Sequence, residues 1–172
     1  GSVGGALRMN AGAMGGSTFD AVESMRFMNL RGQIFEKPGR EIEVHYRGCP
    51  LLKDHIALDA LFRCSHAPRE EIEKRMNAFS KKRWTSQPPA PSAGCIYKNP
   101  PTIAAGRLVD ELGLKGMRVG GAVVSQEHGN FIINDGQATA RDVLELIEQI
   151  KQHAQAERGV ALHVEVEIVG ED

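Results

Sequence analysis

Gln87-Pro-Pro-Ala-Pro-Ser-Ala-Gly-Cys-Ile-Tyr-Lys-Asn-Pro-Pro101 is the stretch that decides how this chain is organised. Pro88, Pro89, Pro91, Pro100 and Pro101 each fix φ and lack a backbone N–H, which forbids a helix interior or a central strand and marks a junction between two units. The boundary is therefore placed at Arg83-Trp84, giving units 1–83 and 84–172.

Upstream of the junction the pattern is mainly β. Glu23 to Leu30 and Glu41 to Tyr46 suit strands, with Arg31-Gly32 as a turn. Ile56 to Cys64 sets Ile56, Leu58, Ala60 and Phe62 against Asp59 and Arg63, as a half-buried strand does. A helix follows Pro68, with Ile72, Met76 and Phe79 as a stripe that closes the first unit. Before all of these, residues 1–16 carry six Gly among small residues, a composition that lets backbone come close to a flat or phosphorylated ligand.

Downstream, Ala104, Leu108 and Leu112 stripe a short helix ended by Gly113, and Arg118 to Val124 and Phe131 to Asn134 read as strands. Thr139 to Gln155 is the clearest helix. Thr139 with Asp142 forms a capping box, Val143, Ile147, Ile150 and Ala154 make its apolar face, and Gly159 stops it. A last strand turns Leu162, Val164, Val166 and Ile168 one way and His163, Glu165 and Glu167 the other. Strand-rich segments interleaved with helices predict an α+β fold in each unit.

Composition removes whole classes of function. Among 172 residues, 21 Lys+Arg against 22 Asp+Glu give a net charge of -1, which provides no global field for nucleic acid or an anionic membrane. No apolar run reaches the roughly 18–20 residues of a membrane span, and there is no secretory pattern at the N-terminus, so the expected location is cytoplasmic. Cys49, Cys64 and Cys95 are odd in number and widely spaced, and the six His lack ligand spacing. Neither a disulfide framework nor a metal site is expected.

Six blocks carry a resemblance: Gly1-Ser-Val-Gly-Gly-Ala-Leu-Arg-Met-Asn-Ala-Gly-Ala-Met-Gly-Gly16, Tyr46-Arg47, Pro91-Ser-Ala-Gly-Cys-Ile-Tyr-Lys-Asn-Pro100, Ala105-Gly-Arg-Leu-Val-Asp-Glu-Leu-Gly-Leu-Lys-Gly116, Gly120-Gly-Ala-Val-Val-Ser125 and Asn130-Phe-Ile-Ile-Asn134. In this order they resemble the successive blocks of the UDP-N-acetylenolpyruvoylglucosamine reductase family, in its shorter type. The resemblance runs over nearly the whole chain. It implies the C-terminal part of an FAD-binding α+β domain followed by a small α+β substrate-binding domain. It also implies NADPH-dependent, FAD-mediated reduction of the enolpyruvyl group of a UDP-sugar to UDP-N-acetylmuramate, in peptidoglycan precursor synthesis. The family's N-terminal FAD-binding segment has no counterpart here, so a fragment is expected.

The resemblance also assigns roles. Gly4, Gly5, Asn10, Ala11 and Gly12 would line the flavin; Met14 departs from the Tyr common in relatives. Arg47 would hold the enolpyruvyl carboxylate, a task suited to a guanidinium with two parallel N–H groups. Cys49 stands where relatives often carry Ser. Cys95 replaces the family serine that protonates the substrate carbon, and a thiol with a reference pKa of about 8.5 is a better acid than an aliphatic hydroxyl. Glu165 matches the glutamate that stabilises the enol, with Glu167 on the same face as a competitor. Asn99 and His128 resemble substrate-contacting positions, and Lys98 and Lys115 could meet the uridine diphosphate. The chain shows no dinucleotide fingerprint of its own: Gly1-Ser-Val-Gly-Gly-Ala is not a strand-to-helix G-x-G-x-x-G motif.

Two other functions fit part of the pattern. A different flavin-dependent oxidase would need the glycine segment but not the Pro-Ser-Ala-Gly-Cys block. A non-catalytic UDP-sugar-binding module would tolerate the changes at Met14, Cys49 and Cys95.

Overall fold

A computed structural model describes residues 1–170. The fold is α+β, and the chain divides into two compact units, Gly1–Arg75 and Met76–Asp172. The division falls inside the helix that follows Pro68 rather than at Arg83-Trp84.

The first unit opens with α1 (Val3–Arg8), capped by the Ser2 hydroxyl, which accepts the Gly5 N–H at 3.1 Å. A hairpin of β1 (Gly12–Ala13) and β2 (Gly16–Ser17) turns through Met14 and Gly15, both at positive φ (55° and 87°), as a two-residue hairpin loop demands. Three antiparallel strands follow: β3 (Val22–Asn29) lies between β4 (Ile34–Pro38) and β5 (His55–Phe62). The predicted turn at Arg31-Gly32 is organised by Asn29, whose Oδ1 accepts the N–H groups of Arg31 and Gln33. Irregular pairing between Val22 and Ser24 brings Val22 to the same face as Met25 and Phe27, and these three pack with Leu7, Ile42, Cys49 and Leu52.

Three expectations fail in this unit. Glu41 to Tyr46 is not a strand. Gly39–Glu41 form a tight 3₁₀ turn, packed so closely under Val22 that a side chain at Gly39 would meet the Val22 carbonyl, and the chain leaves the sheet there. In β5 the core side is Ala57 and Ala60, while Ile56, Leu58 and Phe62 are exposed. The pairing jumps from Arg26–Asp59 to Phe27–Ala57, so Leu58 is bulged out and the alternation changes face. Finally, α2 (Arg69–Ser86) forms where a helix was expected, but Ile72, Met76 and Phe79 are exposed and no residue of the helix is buried.

In the second unit β6 (Ser92–Cys95), α3 (Ala105–Glu111), β7 (Arg118–Val119), β8 (Ala122–Val124), β9 (Phe131–Asn134) and α4 (Ala140–Arg158) follow in order. The sheet is antiparallel with strand order β6-β9-β8-β7. The single strand expected over Arg118 to Val124 is a hairpin instead, because Gly120-Gly121 turns the chain between β7 and β8. The helix α4 starts and stops at its predicted caps: Thr139 and Asp142 bond reciprocally, and Gly159 is left-handed at φ 64°. Leu146, Ile147, Ile150 and Ala154 of its buried face join Leu108 and Val109 of α3 and Ala122, Val124 and Ile132 of the sheet in one core. Full burial of each such large aliphatic side chain stabilises by about 1.5–3 kcal/mol.

The predicted last strand is an extended segment that, among the described residues, forms one β-bridge, Tyr97 to Val164. Leu162 is buried, but Ile168, expected to point inward with it, is 65% exposed. The alternating sequence pairs its backbone with residues 96–98, where the Lys98 N–H donates to the His163 carbonyl and the Glu165 N–H to the Ile96 carbonyl.

Candidate functional site

The second unit contains a cleft of about 310 Å³ lined by Cys95, Asn99, Gly106, Asp110, Lys115, Glu127 and His128 among others. Cys95, Asn99 and His128, three of the residues singled out in the sequence, are thus brought together from β6, the loop after it and the turn before β9. Cys95 sits at the end of β6, paired with Phe131, in a strand whose register slips between Ser92 and Cys95. Gly94 occupies that slip at φ 82°, a conformation open to glycine at little cost. Asn99 accepts the Ala105 N–H at 3.0 Å through Oδ1, so it caps the start of α3 while lining the cleft. Lys115 reaches the cleft with its ammonium 2.9 Å from Asp110. Lys98 is exposed and is not among the lining residues; its backbone N–H serves the pairing with His163. Glu165, half-buried, is placed next to the Cys95 strand by the 2.7 Å bond from its N–H to the Ile96 carbonyl, and Glu167 is exposed.

The turn carrying Glu127 and His128 is built around Ser125, which is fully buried. Its hydroxyl accepts the N–H groups of Glu127 (3.1 Å) and His128 (3.3 Å) and donates to the Glu127 carboxylate at 2.6 Å. That hydroxyl bond, the largest influence, holds the Glu127 carboxyl below its usual pKa. Burial pushes the His128 imidazole below its usual 6.5; a backbone hydrogen bond at His128 opposes this, and the Lys115 charge adds to it.

The first unit holds a second, shallower cleft of about 420 Å³, lined by Asn10, Gly12, Ala13, Gly15, Gly16, Ser17, Asp20, His45, Tyr46 and Arg47. Arg47 stands at the tip of a tight turn in which His45 and Gly48 bond each other, at a left-handed φ of 56°, with its guanidinium 4.8 Å from the Tyr46 ring centre. Asn10 is buried, accepts the Phe19 N–H and donates to the His45 carbonyl, which ties the glycine segment to the Arg47 turn. A Cβ at Gly12 would lie 2.9 Å from the Gly16 carbonyl oxygen and 3.1 Å from Arg47 Nη1, so a side chain there would fill the cradle. Gly12 and Asn10 therefore fit one wall of a site for a flat or phosphorylated group. Gly4, Gly5 and Ala11 do not line this cleft. Gly4 and Gly5 lie in α1, the Gly5 N–H is taken by Ser2, and the Ala11 N–H donates to Ala6. Cys49 is a core residue, and burial raises its thiol pKa.

Ser125, Glu127, Asn130 and Gly106 are site residues that the sequence did not single out. A polar residue immediately before the apolar run Phe131-Ile-Ile was the available signal for Asn130. Among the described residues no group of His, Cys, Asp or Glu is arranged to hold a metal, and no helix is long and apolar enough to cross a membrane.

Residues 87–169 match the family model described as UDP-N-acetylenolpyruvoylglucosamine reductase, C-terminal domain. The chain is 42% identical over 174 residues to the UDP-N-acetylenolpyruvoylglucosamine reductase of Clostridioides difficile (strain 630), a match covering 100% of this chain and 57% of that protein. It is 40% identical over 171 residues to the enzyme of the same name from Coxiella burnetii (strain Dugway 5J108-111), with 99% and 54% covered. The crystal structure of UDP-N-acetylenolpyruvylglucosamine reductase from Thermus caldophilus superposes with a TM-score of 0.86 at 43% identity, over 96% of this chain and 59% of that one. The chain spans a little over half the length of these relatives. On these matches it belongs to the UDP-N-acetylenolpyruvoylglucosamine reductase family.

Proposed function

We propose that this chain supplies the substrate-reducing residues of an FAD-dependent, NADPH-consuming reductase that converts UDP-N-acetylglucosamine enolpyruvate to UDP-N-acetylmuramate for peptidoglycan. The observation that supports this best is the convergence of Cys95, Asn99 and His128 on one cleft. Reduction of an enol ether needs hydride at one carbon, a proton at its neighbour and stabilisation of the charge between them. When bound, the flavin supplies the hydride. Cys95 is the proton donor, its thiol giving up the proton that forms the new C–H bond. Arg47 holds the substrate carboxylate, and Glu165 stabilises the enol through a hydrogen bond. Gly12 and Asn10 are the residues here suited to the flavin, with Arg47 at the edge of the same cleft.

A second possibility, a UDP-sugar-binding module without flavin chemistry, is favoured by one observation: the Cys95 cleft is formed wholly by residues of the second unit. One experiment separates the two. The chain, alone and extended N-terminally to the length of its relatives, is titrated with FAD, reduced with NADPH and mixed anaerobically with the enolpyruvyl substrate. Reoxidation of the flavin by substrate supports the reductase. Binding of UDP-sugar without any flavin spectrum supports the module.

A further inference from the structure

We infer that Gly106 and Asn130 are positioning residues that fix the His128 ring as the tautomer with its hydrogen on Nε2, making neutral His128 a hydrogen-bond donor to an anionic oxygen of the ligand. The ligand half of this inference rests on the proposed function; the positioning half does not.

The tautomer follows from what a backbone amide can do. The Asn130 N–H lies 3.1 Å from His128 Nδ1 and can only donate, so Nδ1 must present a lone pair. A neutral ring then carries its hydrogen on Nε2, the ring nitrogen left for the cleft that His128 lines. The ring is also seated mechanically. A Cβ at Gly106 would stand 2.8 Å from Cε1 and 3.1 Å from Nδ1, so the ring rests directly on the backbone of α3, and Phe131 meets it edge-on at 4.9 Å. Ser125 clamps the turn from within through its bonds to the N–H groups of Glu127 and His128. Asn130 in turn is anchored to the strand extension beyond Cys95: its carbonyl accepts the Ile96 N–H, and its side chain bonds both polar groups of the Tyr97 backbone. One buried residue thus sets both the course of the chain just after Cys95 and the state of the His128 ring. A donor held in a fixed direction suits a phosphate or carboxylate oxygen, which accepts hydrogen bonds and offers none.

The test uses long-range proton–nitrogen spectra of the histidine side chains in the ¹⁵N-labelled chain. Without ligand, His128 is expected to show a protonated Nε2 and a bare, hydrogen-bonded Nδ1; a ring protonated on Nδ1 overturns the inference, and this readout needs no variant. In Gly106→Ala the new methyl displaces the ring, so the two tautomers mix, while the melting temperature holds because Ala is the better helix former. Unchanged His128 signals in that variant overturn the role of Gly106. Titration with UDP, and separately with UDP-N-acetylglucosamine enolpyruvate, is expected to shift Nε2 in the wild type and to weaken roughly tenfold in Gly106→Ala. A shift with UDP alone assigns the oxygen to the diphosphate, and a shift only with the full substrate assigns it to the rest of the molecule. Movement of the Cys95 and Asn99 amides without His128 rejects the donor role alone. If no cleft resonance moves with either ligand, the ligand reading and the donor role fall together, and the ligand-free spectra still decide the positioning.

Discussion

The carboxamide of Asn130 brackets the backbone of Tyr97: Oδ1 accepts the Tyr97 N–H and Nδ2 donates to the Tyr97 carbonyl, both at 2.8 Å. Asn130 is 2% exposed and Tyr97 1%, so water cannot replace either bond. The Tyr97 hydroxyl meanwhile donates to the Ile147 carbonyl of α4, which links the site strand to the main helix. Asn130→Ala leaves two buried backbone groups unsatisfied, and at about 1–3 kcal/mol each the expected loss is roughly 2–6 kcal/mol. Urea unfolding of the two proteins measures it; a loss under about 0.5 kcal/mol, the scale of a surface substitution, would show that the bracket is not structural.

Cys95 provides the sharpest chemical prediction. If it is the proton donor, Cys95→Ser keeps a dissociable hydrogen and retains substrate reduction, whereas Cys95→Ala loses it by about 10²–10⁴-fold, the usual contribution of a positioned acid. Reduction of the flavin by NADPH serves as the internal control and should be unchanged in both variants. Equal rates of substrate-driven flavin reoxidation for the Ala variant and the wild type would remove Cys95 from the mechanism.

How far the sequence could be read depended on whether a residue's partner was local. The helix α4 was legible because its caps, its stripe and its stop all lie within the helix itself. The segment after Leu162 alternates as well as any strand, yet alternation does not provide a neighbouring strand, and among the described residues its β-bridge is the one beside Tyr97. The buried side of β5 departs from its alternation because the bulge at Leu58 is a property of its pairing with β3, invisible in β5 alone. The same holds at the site. Cys95, Asn99 and His128 stand in recognisable blocks, while the seat that Gly106 gives His128 and the bracket that Asn130 places on Tyr97 join residues more than 20 positions apart, which no local pattern encodes.

Arg47 sits at φ 56° although it is not glycine, a conformation that costs roughly 1–2 kcal/mol for a side-chain-bearing residue. Such a cost is commonly tolerated where a side chain is needed in one direction. Arg47→Lys keeps the backbone cost and the charge but loses the planar pair of donors. Its unfolding free energy is expected within about 0.5 kcal/mol of wild type, while kcat/KM for the enolpyruvyl substrate falls by roughly tenfold or more. A variant that unfolds early instead would place Arg47 in the fold rather than in the chemistry.

Acid should weaken the second unit in a defined window, and His128 sets its upper edge. Burial lowers the folded-state pKa of His128 below the usual 6.5, so the unfolded chain binds its proton first. The neutral ring's contribution is then complete above pH 6.5 and is lost as pH falls through the lower folded value, because protonation puts a hydrogen where Asn130 already donates. Asp142, held below the usual carboxylate range chiefly by the backbone N–H of Thr139, acts in the same sense further down, below its reference of 3.8. Stability measured by urea unfolding from pH 8 to pH 5 should therefore decline with acid in the wild type and decline less in His128→Gln, whose side chain does not titrate. Stability that rises toward pH 5 in the wild type would mean that the folded ring takes up its proton more readily than the unfolded one, which the Asn130 contact forbids.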